Sequence, residues 1–250
     1  HLGLSIDETF CFDAFADRVA EVIDKTVNVD RLLELCTVEF SGEQTEGVIC
    51  SGNKKIAIAR DEAFNFMYRE NVEALKRAGE VVFFSPLHDK RLPDADLVYF
   101  PGGYPELYLP ELAANEGMRQ AVRKYCETGG RVLAECGGMM YLCDTITSDD
   151  GKVYPMAGVL KQGATMEQMK LKLGYREVRV NGQRIRGHEF HYSRILPGHE
   201  KIPVIGTIYN AKDMVVDTPV YTYKNVLASY IHFYWGECGI DHFLMLMSQK

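Results

Sequence analysis

The sequence predicts an α/β fold: three layers, with a mainly parallel sheet flanked by helices and an antiparallel extension. Three observations carry that prediction. Compact apolar runs at 55–60, 80–84, 96–100 and 131–135 alternate with helical stretches at 65–78 and 116–127, as strands buried on both faces do when right-handed crossovers join them. Two of the runs end in glycine pairs, Pro101-Gly102-Gly103 and Cys136-Gly137-Gly138, and the chemistry of such sheets sits where strands end and helices begin. Further on, Met169, Leu171 and Leu173 alternate ahead of Gly174-Tyr175-Arg176-Glu177-Val178, a period of two that reads as antiparallel strands with those apolar residues in the core.

In chain order, Phe12, Phe15, Val19, Val22 and Ile23 recur at helical spacing with Asp7 as a cap, and residues 29–35 give a second amphipathic helix. The polar, glycine-bearing segment 41–47 and the break at 51–55 read as linkers. The boundary is accordingly placed between residues 1–50 and a main domain at 51–250. Helix 65–78 turns Phe66, Val72, Leu75 and Ala78 inward and stops at Gly79, while Asn115 is positioned to cap helix 116–127. The last strand, residues 226–232, ends in His232.

Composition excludes several classes. The 250 residues are 46% hydrophobic and 25% charged with a net charge of −7, and no cluster of Lys and Arg offers a surface to nucleic acid or anionic lipid. No apolar run approaches the roughly 18 residues that span a bilayer. Seven cysteines, an odd set without a CxxC pair, suit neither a disulfide framework nor a zinc site. A cytoplasmic protein with reduced thiols is expected, with Cys11, Cys36, Cys50, Cys126, Cys143 and Cys238 acting as small hydrophobes.

Cys136 differs by position. An apolar strand running into a cysteine, two glycines and a helix is a strand-to-helix elbow that exposes a nucleophile, and a helix start favours the thiolate. A thiolate attacking an amide carbonyl creates an oxyanion, which Gly103 and Gly137 are placed to meet with unobstructed N–H groups; either glycine pair alone reads more readily as a tight turn, and the two together, with a cysteine between them, favour function. His232, at the end of a neighbouring strand, is the expected base. In an extended segment His188 and His191 would point to opposite faces, so no metal site is expected. His191, with Tyr104 and Glu106, reads as a contact for substrate or for a domain interface.

Several motifs in order carry a resemblance: Tyr99-Phe-Pro-Gly-Gly-Tyr-Pro-Glu-Leu-Tyr108, Ala134-Glu-Cys-Gly-Gly-Met-Met-Tyr-Leu142, Gly187-His-Glu-Phe-His-Tyr-Ser193 and Ser229-Tyr-Ile-His232, supported by Ile58-Ala-Arg-Asp-Glu-Ala-Phe-Asn-Phe66 and Phe84-Ser-Pro-Leu87. Together they resemble the cobyrinic acid a,c-diamide synthase family, in which an ATP-dependent synthetase domain precedes a class I glutamine amidotransferase domain of flavodoxin-like fold. The resemblance implies that residues 1–50 are the tail of a missing synthetase domain plus linker. It implies further that residues 51–250 hydrolyse glutamine at Cys136 and His232. The ammonia would amidate the a and c acetates of a tetrapyrrole acceptor held by the synthetase domain, which would use ATP and Mg²⁺. No G-x-x-x-x-G-K-[ST] phosphate loop occurs in these residues.

The pattern departs from its class at one place. Where many class I amidotransferases carry a glutamate two residues beyond the histidine, this chain has Tyr234, which leaves a Cys-His dyad with Glu237 and Asp241 nearby in sequence. Glu135 reads as strand-end scaffolding. Alternatives stay open: a hydrogenobyrinic acid or nickel sirohydrochlorin acceptor, a cysteine hydrolase on the same fold, a silent docking module, and a homodimer.

Overall fold

The computed structural model describes residues 12–38, 53–236 and 240. Contacts divide the chain into two compact units, 1–48 and 49–250. The first holds α1 (Phe12–Thr26) and α2 (Val29–Cys36), and Asn28 caps the second by accepting the Arg31 N–H at 2.9 Å. Neither helix has a buried residue, and Cys36 is exposed, so that cysteine is not the small buried hydrophobe expected. Asp7, segment 41–47, Cys11, Cys50, Cys238, Glu237 and Asp241 lie outside the described residues.

The second unit is built on a six-stranded sheet ordered β12-β13-β4-β3-β1-β2. Its strands are β1 (Lys54–Ala59), β2 (Gly79–Phe84), β3 (Leu97–Phe100), β4 (Arg131–Glu135), β12 (Val220–Tyr223) and β13 (Val226–Ser229). All neighbours pair parallel except β12 with β13. Alternation along the strands fills a core on each face. Ile56, Ile58, Leu97, Tyr99, Leu133 and Leu227 face one core. Ala57, Ala59, Val98, Phe100, Val132 and Ala134 face the other, where helix α5 (Glu116–Glu127) contributes Met118, Val122 and Cys126. The expected parallel α/β architecture is therefore present.

Three local expectations are corrected. Helix α3 runs Arg69–Ala78 and not from residue 65, because Phe66 forms an antiparallel bridge with Gly102 instead of a helical turn; its ring is 40% exposed, not inward. Asn115 makes no side-chain cap; it is buried and donates to the Pro86 and Asp89 carbonyls, each at 2.8 Å. The strand expected over 226–232 breaks at Tyr230 into β13 and β14 (Ile231–Phe233), and β14 leaves the main sheet for another.

That other sheet is part of an antiparallel extension of two four-stranded sheets. One is ordered β10-β7-β5-β6, comprising β5 (Cys143–Thr147), β6 (Val153–Pro155), β7 (Leu160–Thr165) and β10 (Arg194–Leu196); its β5 and β7 are parallel to each other. The other, β11-β8-β9-β14, adds β8 (Lys172–Val180), β9 (Gln183–His191) and β11 (Thr207–Asn210). Met169, Leu171 and Leu173 are 52%, 44% and 60% exposed, so they are not core. On β8 the buried positions are Arg176 and Val178, and a period of two leaves Leu173 and Tyr175 facing outward.

Candidate active site

Cys136 occupies the elbow between β4 and the short helix α6 (Gly137–Leu142). Its backbone stands at φ 47°, ψ −109°, a region an L-residue enters only when its surroundings hold it there. What holds it is a pair of backbone hydrogen bonds, Cys136 N–H to Ser229 O at 2.7 Å and Met140 N–H to Cys136 O at 3.0 Å. The first comes from β13, the strand beside β4.

The facing wall is the loop after β3. The loop after β1 backs it and is organised by Asp61, whose carboxylate accepts the N–H groups of Ala63, Phe64 and Leu87 and the Ser85 hydroxyl. The loop so formed presents the Ala63 carbonyl to the Tyr104 N–H at 3.0 Å, while Phe66 and Gly102 exchange backbone hydrogen bonds at 3.0 and 3.1 Å. Gly103 sits at φ 153°, and a Cβ there would meet Ala63 O at 2.1 Å. Across from it, a Cβ on Gly137 would stand 2.9 Å from Gly103 O and 2.7 Å from Pro105 Cδ. The two glycine turns thus touch, and only glycines permit the approach. The Gly102 N–H is taken by Phe66, whereas those of Gly103 and Gly137 donate to no carbonyl among the described residues.

His232 lies on β14, buried, with Phe66 edge-on at 4.6 Å. A Cβ on Gly102 would fall 2.2 Å from its Cε1 and 2.9 Å from its Nδ1, so the missing side chain at Gly102 is the room the imidazole occupies. Gly102→Ala is expected to displace the ring and lower any Cys136-dependent turnover about a hundredfold while the fold persists. Steady-state kinetics together with a circular dichroism spectrum check this.

The backbone around His232 is fixed by buried polar groups. Glu135 accepts the Phe233 N–H at 3.2 Å and the Tyr99 hydroxyl at 2.8 Å. Asn71 donates to Phe233 O at 2.7 Å and accepts the Trp235 N–H at 2.9 Å. Burial raises the Glu135 carboxyl to about 8, and its contacts are with the strand, not with the imidazole. Among the described residues His232 Nδ1 has no hydrogen-bond partner.

Electrostatics keep the pair uncharged. Burial pushes the Cys136 thiol well above its ordinary value, Glu106 adds to this, and the Gly137 N–H opposes it. Burial, then the neighbouring His188 and His191, lower His232 to about 3. The thiol donates weakly to Phe190 O at 3.8 Å; among the described residues it makes no hydrogen bond to His232. The imidazole is nonetheless on the strand that directly follows the neighbour of β4, with one residue, Tyr230, between.

Of the other expected contacts, Tyr104 and Glu106 flank the elbow. Burial raises both, Glu106 to about 7; Glu106 and the thiol raise Tyr104 further, and Glu106 also raises the thiol. His191 lies elsewhere on the wall, 7% exposed, its Nδ1 2.8 Å from Ser193 O and its Nε2 2.8 Å from a Glu189 carboxylate oxygen, with Tyr230 stacked on it at 3.5 Å. Both of its nitrogens are occupied by the protein. His188, which the sequence singled out only as the partner of His191, is the residue beside His232: their ring centroids are 4.9 Å apart at 18°. The two strands bearing them are 44 positions apart at this contact, and the pairing His232↔His188 has no local signal. Among the described residues no group of three or more His, Cys, Asp or Glu side chains is arranged to hold a metal ion, and no helix is long and apolar enough to cross a membrane.

A cysteine on a strand-to-helix elbow of a doubly covered parallel sheet, walled by a glycine turn, defines the class of the protein: an α/β domain of the nucleophile-elbow type. Within that class, the model of the CobB/CobQ-like glutamine amidotransferase domain matches residues 55–238, and the chain belongs to that family. It is 34% identical over 252 residues to the cobyrinate a,c-diamide synthase of Salmonella typhimurium, covering 95% of this chain and 55% of that protein. It is 36% identical over 241 residues to the hydrogenobyrinate a,c-diamide synthase of Pseudomonas aeruginosa, covering 94% and 53%. The chain thus spans about half the length of the curated relatives it matches. Among solved structures, that of PurLQS from Thermotoga maritima shares the fold at a TM-score of 0.50 and 19% identity, over 72% of this chain and 87% of that one.

Proposed function

We propose that this chain hydrolyses the side-chain amide of glutamine at Cys136 and supplies the ammonia to an ATP-dependent synthetase domain. That domain would amidate the a and c acetate carboxylates of cobyrinic acid in cobalamin biosynthesis. The observation that carries the reading is the approach of the Gly102-Gly103 turn to the Cys136-Gly137 elbow, where the Gly103 and Gly137 N–H groups donate to no carbonyl among the described residues and the Gly137 N–H meets the thiol. In the reaction the thiol sulfur bonds to the amide carbon as its proton passes to His232. The Gly103 and Gly137 N–H groups receive the oxyanion. As the tetrahedral species collapses, the C–N bond breaks and His232 returns the proton to the leaving ammonia. Water, deprotonated by the same imidazole, then cleaves the thioester to glutamate and free thiol.

Burial favours the uncharged thiol and the uncharged imidazole alike, so the proton would pass to His232 only together with sulfur attack, with the N–H groups that receive the oxyanion offsetting the cost. Tyr104 and Glu106 border the elbow and would meet the substrate's α-amino and carboxylate end, with His191 holding the wall behind. ATP and Mg²⁺ would serve acetate activation in the synthetase part of the protein, which residues 1–50 would join to this domain, in the cytoplasm. A metal-free acceptor is the second reading, favoured by the equally close match to a hydrogenobyrinate a,c-diamide synthase.

The test is direct. Glutamine should be converted to glutamate and ammonium by the full-length protein carrying this chain, and 6-diazo-5-oxonorleucine should add covalently to Cys136, seen by peptide mass spectrometry. Absence of both with a folded protein would overturn the reading. Amidation assayed with cobyrinic acid, hydrogenobyrinic acid and nickel sirohydrochlorin in turn separates the acceptors.

A further inference from the structure

Among the described residues the histidine that would serve as base has no orienting partner of the expected kind: position 234 is a tyrosine, and His232 Nδ1, in a residue 4% exposed, meets no acceptor. An imidazole on a single strand can still rotate about two side-chain bonds, and proton transfer tolerates little of that freedom. Something else must fix the ring.

The groups around it are aromatic. His188 lies directly opposite His232 in the antiparallel β9–β14 pair, so the two side chains leave the sheet on the same face. Their rings stack, with centroids 4.9 Å apart and planes 18° from parallel. The strands come close enough for this because residue 187 is glycine, where a Cβ would fall 2.3 Å from His232 O. His188 is itself tied down, its Nδ1 hydrogen-bonded by the Tyr68 hydroxyl at 2.5 Å. Tyr68 is wedged edge-on against Tyr234 at 5.6 Å and Phe66 at 6.2 Å. Phe66 in turn stands edge-on to both imidazoles, 5.7 Å from His188 and 4.6 Å from His232. Gly102 closes the remaining side.

We infer that His188, locked by Tyr68, is a positioning residue for His232, and that ring stacking in this site does the orienting that a carboxylate at position 234 would do by hydrogen bonding. Stacking against a ring that is itself hydrogen-bonded through Nδ1 to Tyr68 restricts the plane and the rotation of the His232 imidazole. The inference rests on the proposed glutaminase reading, and its prediction concerns turnover and not glutamine binding.

The test uses the full-length protein with glutamine as the only substrate varied. His188→Ala is expected to lower kcat about ten- to a hundredfold with KM within about twofold. His188→Phe, which keeps a flat ring on His232 without any nitrogen, should recover kcat to within a few-fold of the parent. Tyr68→Phe should fall between the parent and His188→Ala. If His188→Ala keeps the parental kcat per folded molecule, or if it and His188→Phe are equally impaired while both stay folded, the stacking role is overturned. Cys136→Ala, run alongside, separates this from failure of the glutaminase reading: turnover persisting in that variant would discard the reading, whereas turnover lost there and unchanged in His188→Ala discards only the inference.

Discussion

Cys136→Ala is expected to lower ammonium release from glutamine by roughly 10³-fold or more, because the proposed covalent intermediate forms on this thiol. It should also abolish labelling by 6-diazo-5-oxonorleucine. A rate equal to the parent's would show that the nucleophile lies elsewhere. The same position carries a stability prediction of opposite sign. At φ 47°, ψ −109° an L-side chain is strained by about 1–3 kcal/mol. Cys136→Gly removes the strain and Cys136→Ala does not, so of two inactive variants the glycine form should melt at the higher temperature. Scanning calorimetry of the pair would isolate the free energy invested in holding residue 136 in this backbone conformation.

The second large effect lies behind the site. Glu189 is fully buried and its carboxylate gathers Arg176 Nε at 2.7 Å, the Thr218 hydroxyl at 2.8 Å, His191 Nε2 at 2.8 Å and Lys172 Nζ at 3.3 Å. Glu189→Ala would leave the guanidinium of Arg176, 8% exposed, without its counter-charge, at a cost of about 3–5 kcal/mol. Urea denaturation should show the loss as a lower midpoint at unchanged slope. Burial alone would raise this carboxyl, but the His191 and Thr218 hydrogen bonds and Lys172 overcome it and hold it at about 2, below the 4.5 of a free glutamate. The sign of the pH dependence follows. A depressed carboxyl contributes stability that is complete above 4.5 and fades as pH falls toward 2, so the gap between the parent and Glu189→Ala should narrow over that window. A gap that stays constant there would mean that Glu189 acts through packing alone.

How much of this was legible in the sequence depended on the range of each signal. The strands of the parallel sheet were legible because burial on both faces makes them continuous apolar runs, and β4 begins and ends at 131 and 135 as expected. The glycine pairs were legible because steric demand leaves a compositional mark. Alternation at Met169, Leu171 and Leu173 gave the period but not the face, since only the partner strand decides which side is covered, and here the covered side begins with an arginine. Helix α3 was placed too early because Phe66 obeys its long-range bridge to Gly102 over its local periodicity. His188 and Tyr68 could not be paired in advance: they are 120 residues apart in sequence, and the register that sets His188 opposite His232 is decided by the meeting of β9 and β14. His191 drew attention as a polar residue in a motif, yet in the structure its two nitrogens are engaged within the protein.

The sheet order has a consequence for when the protein can act. Strand β13, which holds the Cys136 N–H, and β14, which carries His232, are the last strands of the described chain, and the Phe233–Glu135 contact joins residues 98 apart. Asn71 waits longer still, since its Trp235 partner lies 164 residues on. Contacts of such separation form late. During synthesis, therefore, a nascent chain displays the elbow sequence long before the strands that clamp it and supply the imidazole have emerged. A half-made polypeptide carries a thiol without its imidazole neighbour, and any chemistry that needs both begins only with a finished domain.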